Sequence, residues 1–340
     1  MSTRSARKEE HLALAHQFFN QDKANSFDQM QLLRPALPEA SVSLTSIQTT
    51  MFGKTLAAPF FINAMTGGSK TSRQINGQLA AVAHRTNIAM ALGSASILAK
   101  EPTQLDTFTI AREKNPDGVL IANINPLTSP QVAQQIVTEL AADALQTHLN
   151  VVQELAMPEG GRDFHWLTNL LAIRQVVTKP IIIKEVGNGL DPATMKRLAQ
   201  AGFDWFDISG SGGTNFGQIE NARNNLQDHH YLEKVGLPTV VAAKLAHQAC
   251  VPFIVSGGVR HPLDVLKGLV LGGKYVGVAN TFLQQLRSGG PTGFETLIRN
   301  WQQDLAGLVA LYGQHNLADL PKIKAYYDLE MSNTLKQLLG

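Results

Sequence analysis

Three glycine-rich segments each follow a short apolar run: SGSGGTNF at 209–216, SGGVR at 256–260 and GVAN at 277–280. Successive backbone N–H groups left bare by glycine can cradle an anion, most often a phosphate. Any one such cluster serves equally well as a tight turn. Three of them at the ends of adjacent strands point to a phosphate cradle. Ser209, Thr214, Gly257, Gly258, Ala279 and Asn280 would supply its amide and hydroxyl donors, and Arg260 a cation. Lys184 interrupts the apolar run PIIIKEV (180–186). A buried lysine is costly unless it is paired or gives up its charge. It could pair with Glu185 or another carboxylate, although neighbours on a strand face opposite sides. It could equally sit beside the electron-rich edge of a bound ring. The segments AMTGGS (64–69), GSAS (93–96) and IANIN (121–125) place Ala64, Met65, Thr66, Ser94, Ser96 and Asn123 at strand ends. These small and amide residues leave room for a flat ring and offer it hydrogen bonds. Phosphate on one side and ring recess on the other suggest FMN, with the lysine favouring the anionic reduced form.

A second group lies in HLNVVQE, residues 148–154. Strand alternation points His148 and Asn150 to the same side, and Gln153 and Glu154 follow at the rim. Taken singly, each is satisfied by a structural role. Together, beside a cofactor, they read as substrate contacts. Glu154 suits Mg²⁺, which commonly takes one carboxylate, waters and phosphate oxygens. Near the amino terminus, RKEEH (7–11) puts Arg7 and His11 one helical turn apart with Lys8 beside them. Either this is a solvated face balanced by Glu9 and Glu10, or it is a cationic clamp for a second phosphorylated group. Arginine's planar fork favours phosphate in the second case.

Positioning these groups requires a repeated scaffold. Eight apolar runs, at 59–64, 88–93, 118–124, 144–151, 180–186, 205–209, 252–257 and 275–280, alternate with segments of helical period. The segments 129–142 and 191–202 open with a capping residue followed by proline, a helix-start signal. Strands buried on both faces and separated by helices mean a parallel sheet with right-handed crossovers. Eight units in this length predict a (β/α)₈ barrel with its site at the C-terminal rim. An open doubly wound sheet is the other arrangement, but no strand-order reversal is evident. Residues 1–57 read as a helical, then irregular, extension carrying the clamp, and 58–340 as the barrel, a single domain overall. Residues 211–235 read as a long polar loop after strand six, and 294–313 as a final amphipathic helix. The 340 residues are 44% hydrophobic and 16% charged with net charge +2. There is no basic run for nucleic acid, no apolar span for a membrane and one cysteine, Cys250. The start MSTRSARKEEH lacks the apolar core of a signal peptide. A cytoplasmic protein is expected.

Taken in order, RKEEH, INAMTGGS, HLNVVQEL, MPEGGRDF, IIKEVGNG, DISGSGGTNF, SGGVRHPLD and GVAN resemble the type 2 isopentenyl-diphosphate isomerases, from Arg7 to beyond Asn280. The resemblance implies FMN at the barrel rim, with Mg²⁺-bound isopentenyl diphosphate over it and reversible conversion to dimethylallyl diphosphate. It also implies NAD(P)H used only to reduce the flavin, and a homo-oligomer such as a tetramer or octamer. On the matching positions, Ala64, Met65, Thr66, Ser94, Asn123, Lys184, Ser209, Thr214, Gly257, Gly258, Ala279 and Asn280 correspond to FMN contacts. Arg7, Lys8, His11, His148, Asn150 and Gln153 correspond to residues around the diphosphate or its hydrocarbon chain, with Ser94 and Ser96 also near substrate. Glu154 corresponds to the Mg²⁺ ligand. Gln153 and His148 would orient the substrate while reduced FMN acts as the acid–base agent. Asn125-Pro126 departs from the glycine-like turn expected there.

Two rivals remain on the sequence. An FMN-dependent hydroxy-acid oxidoreductase needs a base near the flavin, commonly a histidine in the late glycine loop. SGSGGTNFG contains none, and His229 and His230 lie downstream. A phosphate-binding barrel without turnover would make no use of Lys184 or of HLNVVQE.

Overall fold

In the computed structural model, which describes residues 3–340, the eight runs form a closed parallel barrel. Its strands are β4 (Phe60–Ile62), β5 (Met90–Ala91), β6 (Leu120–Ile124), β7 (Ala144–Leu149), β8 (Ile181–Glu185), β9 (Trp205–Asp207), β10 (Phe253–Ser256) and β11 (Tyr275–Val278). The barrel closes where β11 meets β4, pairing Val276 with Phe60 and Val278 with Ile62. Helices run between the strands. Two of them start where the capping pattern places them: Ser129 accepts from the Val132 amide and Asp191 from the Thr194 amide, each followed by proline.

Two further strand pairs lie outside the barrel. β1 (Met30–Leu32) pairs antiparallel with β12 (Ala325–Tyr327), tying the two ends together. β2 (Thr49–Met51) and β3 (Lys54–Leu56) form a hairpin beneath the barrel. Met51 and Leu56 join Phe61, Val119, Ala144, Ile182, Ile254 and Tyr275 in one buried cluster. Phe52 meets Trp205 edge-on at 5.9 Å, and the Tyr275 hydroxyl donates to the Thr50 carbonyl at 2.5 Å. The bottom of the barrel is therefore plugged with apolar side chains, which leaves the C-terminal rim for chemistry.

Two expectations change in detail. The segment 211–235, read as a polar loop, contains a helix, Phe216–Arg223, capped by Asn215, and a 3₁₀ turn at His230–Lys234. The helix read at 294–313 starts earlier, at Asn280, and runs to Leu311 with a break at Gly290 (φ 63°, ψ −175°) before Pro291, and it is not the final one, because Leu329–Leu339 forms another. The amino-terminal helix spans Thr3–Gln17. It lies against the rim, where Asn280 Nδ2 donates to the Ala15 carbonyl at 2.8 Å and His16 Nδ1 sits 2.6 Å from Gln284 Oε1. Among the described residues, no helix is long and apolar enough to cross a membrane.

Candidate active site

A cavity of about 290 Å³ opens at the C-terminal rim. Every residue expected from the sequence to hold cofactor, substrate or metal lines it, from Arg7, Lys8 and His11 on the amino-terminal helix to Ala279 and Asn280 after β11. One wall is backbone packed on backbone. Gly257 has φ +103°, and a Cβ there would stand 2.0 Å from the Gly210 carbonyl oxygen. A Cβ on Gly213 would stand 2.7 Å from the Gly258 nitrogen. Only glycine allows the loops after β9 and β10 to interlock in this way. Beside them the Asn280 helix begins without a side-chain cap, so its first-turn N–H groups remain for a ligand. This wall fits a phosphate group.

Arg260, expected to be a phosphate cation, is otherwise engaged. Its guanidinium meets Asp28 at 2.6 and 2.9 Å and Asp264 at 3.0 Å. The hydrogen bonds it donates to Asp28, reinforced by Asp264, raise its pKa above the ordinary arginine value. It lines the cavity, but its planar fork pins the amino-terminal segment to the loop after β10.

Across the cavity floor, Lys184 Nζ lies 3.0 Å from Asp207 Oδ2, with side chains 8% and 0% exposed. The two residues are register partners on β8 and β9. Asp207 also accepts from Ser256 Oγ at 2.5 Å, Asn63 Nδ2 at 2.9 Å and the Ser209 amide at 3.2 Å. Glu185 is not the partner. It turns to its own loop, accepting the Val186 amide at 2.6 Å and the Asn188 amide at 2.7 Å. Burial pushes its carboxyl up to about 7, against those hydrogen bonds.

The second cluster sits on β7 and the helix that follows, Val151–Ala156. Burial, with the charges of Lys8 and Lys184 adding to it, pushes the His148 imidazole down to about 3, so the ring is neutral. Its Nδ1 is 2.8 Å from Asn123 Oδ1. Asn150 Nδ2 donates to Gln153 Oε1 and Glu154 Oε1, each at 3.1 Å. Glu154 Oε2 accepts the Gly161 amide at 2.7 Å. In place of a glycine-like turn, Asn125 folds over its own loop, accepting from Leu127 and Thr128, while its amide donates to Ser96 Oγ at 2.8 Å.

Two residues of this site were not anticipated. Glu220, fully buried on the Phe216–Arg223 helix, accepts from Gln153 Nε2 at 2.8 Å and faces His11 Nε2 at 2.8 Å. Burial alone would raise its carboxyl, but His11, Gln153 and Arg223 together hold it below the usual range. His11 is pushed below its ordinary value by burial, against the nearby Glu220 carboxylate. Arg223 pairs with Glu220, with Glu10 at 2.8 Å and with Glu159 at 3.1 Å, and Arg7 reaches the same Glu159 at 3.3 Å. A carboxylate and a cation three residues apart, behind the Asn215 cap, were the available signal. The polar composition around them concealed it.

The family model for FMN-dependent dehydrogenase matches residues 117–325. An isopentenyl-diphosphate delta-isomerase of Latilactobacillus sakei subsp. sakei is 40% identical over 321 residues, spanning 94% of this chain and 92% of that one. The protein of that name from Listeria monocytogenes is also 40% identical, spanning 93% and 90%. The one from Limosilactobacillus reuteri is 37% identical across 99% and 98%. The chain belongs to the isopentenyl-diphosphate delta-isomerase family. Solved structures share its fold at low identity. A monotopic membrane (S)-mandelate dehydrogenase aligns with TM-score 0.66 at 15% identity, covering 95% of this chain and 98% of its own. A mandelate oxidase variant aligns with TM-score 0.62 at 14% identity, covering 89% and 90%. At such identities they speak for the barrel alone. In this isomerase-family barrel the histidines lining the cavity are His11 and His148. His229 and His230 lie away from it on the insertion, and His230 is paired with Asp228 at the surface.

Proposed function

We infer that this FMN barrel interconverts isopentenyl diphosphate and dimethylallyl diphosphate, with Mg²⁺ held through Glu154 and NAD(P)H serving only to reduce the flavin. The observation that carries the reading is one cavity with two ends. A glycine-lined phosphate wall follows β9, β10 and β11 at one end, and His148, Asn150, Gln153 and Glu154 stand with the amino-terminal cations at the other, where Lys184 on β8 is the register partner of His148 on β7. An oxidoreductase acting on hydroxy acids would need a base near the flavin, commonly a histidine in the loop after β9, and SGSGGTNFG holds none.

Moving the double bond adds a proton at one carbon and removes one from another, with no net redox change. An unactivated alkene is a poor base, so a carbocation-like transition state needs electrostatic help. When bound, reduced FMN supplies electron density and proton-transfer positions beside the alkene. The chain's own residues position and shield. Arg7, Lys8 and His11 hold the diphosphate from the amino-terminal helix. Among the described residues no cluster of three or more His, Cys, Asp or Glu side chains could hold a metal ion. Mg²⁺ would therefore rely on Glu154, waters and the diphosphate, its usual manner. Gln153, fixed between Asn150 and Glu220, orients the hydrocarbon. His148 is neutral and so adds no positive charge beside a cationic transition state. Lys184, anchored by Asp207, gives a fixed cation at the flavin edge. A cytoplasmic homo-oligomer completes this reading.

The test is anaerobic. Protein, FMN, Mg²⁺, NADPH and isopentenyl diphosphate are mixed and followed by proton NMR. Dimethylallyl signals that disappear when the flavin is omitted or kept oxidised support the isomerase. Flavin reduction with unchanged diphosphate, together with flavin reduction by a hydroxy acid, would favour the oxidoreductase instead.

A further inference from the structure

We propose that a directed chain of buried amides, anchored by Asp207 and the Ala64 backbone, fixes His148 as its Nδ1–H tautomer and leaves Nε2 as a proton-free acceptor. Asn63, Gln146 and Asn123 are the positioning residues. Each link dictates the next. The Ala64 N–H can only donate, and it meets Asn63 Oδ1 at 2.8 Å. That sets the Asn63 carboxamide, whose Nδ2 then faces Asp207 Oδ2 at 2.9 Å. The carboxylate, paired with Lys184, accepts, so both anchors give the same orientation. Asn63 Oδ1 next receives Gln146 Nε2 at 3.4 Å, which leaves Gln146 Oε1 to accept from Asn123 Nδ2 at 3.1 Å. Asn123 Oδ1 is what remains for His148 Nδ1, 2.8 Å away. A carbonyl oxygen accepts only, so the ring proton is on Nδ1.

The chain lies where solvent cannot re-sort it. Asn63, Asn123, Gln146 and Asp207 are between 0% and 3% exposed. Reversing any one amide would set donor against donor or acceptor against acceptor in a dry interior, a conflict that buried networks avoid. The chemical consequence concerns what His148 can face. A neutral ring with a bare Nε2 accepts from an O–H or N–H group, such as a metal-bound water. It meets a fully ionised phosphate oxygen lone pair to lone pair. This deepens the substrate-orienting role given to His148 above. It rests on hydrogen bonds within the barrel, so it can fail while the isomerase reading holds, and the reverse.

The test uses FMN-loaded, oxidised protein with ¹⁵N-labelled histidine, read by long-range ¹H–¹⁵N correlation at neutral pH. His148→Gln identifies the signal. The expected spectrum has a protonated Nδ1 and an unprotonated Nε2 for His148. Gln146→Met cuts the chain while keeping side-chain length. It should give His148 a mixture of both tautomers with the other histidine signals unmoved. A wild-type ring protonated at Nε2 overturns the proposal, and that result needs no variant to fold. A Gln146→Met protein that keeps the single Nδ1–H tautomer shows that the relay is not what sets it, and overturns it equally.

Discussion

Replacing Asp207 by asparagine keeps the shape of the side chain and removes the counter-charge of Lys184. Both groups are out of solvent, at 0% and 8% exposure, so water cannot take over as partner. Breaking a buried pair from one side costs about 3–5 kcal/mol, because the remaining charge is left uncompensated. The new Nδ2 also meets a lysine donor where an acceptor stood. With an unfolding entropy of about 2 cal/mol/K per residue over 340 residues, that loss lowers the melting temperature by about 4–7 °C. Circular dichroism of the flavin-free protein would read it without interference from cofactor binding. Lys184→Met alone should lose less, since Asp207 keeps its hydrogen bonds from Asn63, Ser256 and the Ser209 amide. The double variant should recover part of the Asp207→Asn loss, giving a coupling energy of about 2 kcal/mol or more. A single variant melting within about 1 °C of wild type on the same entropy scale, or strictly additive effects in the double, would refute the reasoning.

The other expected outcomes are shorter to state. Gly257→Ala forces a side chain into a left-handed position 2.0 Å from a carbonyl oxygen, so the purified protein should lose its flavin absorbance. Arg223→Ala frees Glu10 and Glu159 from their shared partner; the amino-terminal helix should then be cut faster by protease, and KM should rise more than kcat falls. Gln153→Ala should abolish most turnover while flavin content stays constant; wild-type turnover would remove the glutamine from the mechanism. For Glu185 the folded value, about 7, lies above the ordinary 4.5, so its contribution is complete below pH 4.5 and is lost as pH rises through 7. The swing is roughly 3 kcal/mol at 1.36 kcal/mol per pH unit. Denaturant titrations of wild type against Glu185→Gln should therefore show wild type losing relative stability between pH 5 and 8 on that scale, and parallel curves would contradict it.

The barrel was legible because parallel strands covered on both faces read as unbroken apolar runs. Even β5, two residues long, was visible within IAMALG. The rim residues were legible because their backbone roles demand glycine or small side chains at strand ends. What could not be read were pairings set by register and tertiary approach. Lys184 finds Asp207 because β8 and β9 lie side by side, which no local spacing announces. Arg260 is captured by Asp28, 232 residues away in the chain. Glu220 was hidden because its helix lies in a polar insertion rich in asparagine and glycine, which looks like a loop until something buries the helix's inner face.

The break at Gly290 bears on how the molecule is completed during folding. In a straight helix Phe282 and Phe294 would stand about 18 Å apart at 1.5 Å per residue. Their ring centres are 5.3 Å apart, because the chain doubles back at the glycine. Trp301 joins them, and through Phe282 and Trp301 the cluster grips Phe60, the first residue of β4. The last repeat is thus clasped to the first across the seam where the sheet closes. The cavity spans that same seam, with Asn280 on one side and Ala64 to Thr66 on the other. A cofactor seated there can be held fully only by a chain whose two ends have met. By mass action it favours the closed form by about 2.7 kcal/mol at a hundredfold excess over Kd. Flavin retention is accordingly a readout of barrel closure as well as a condition for catalysis.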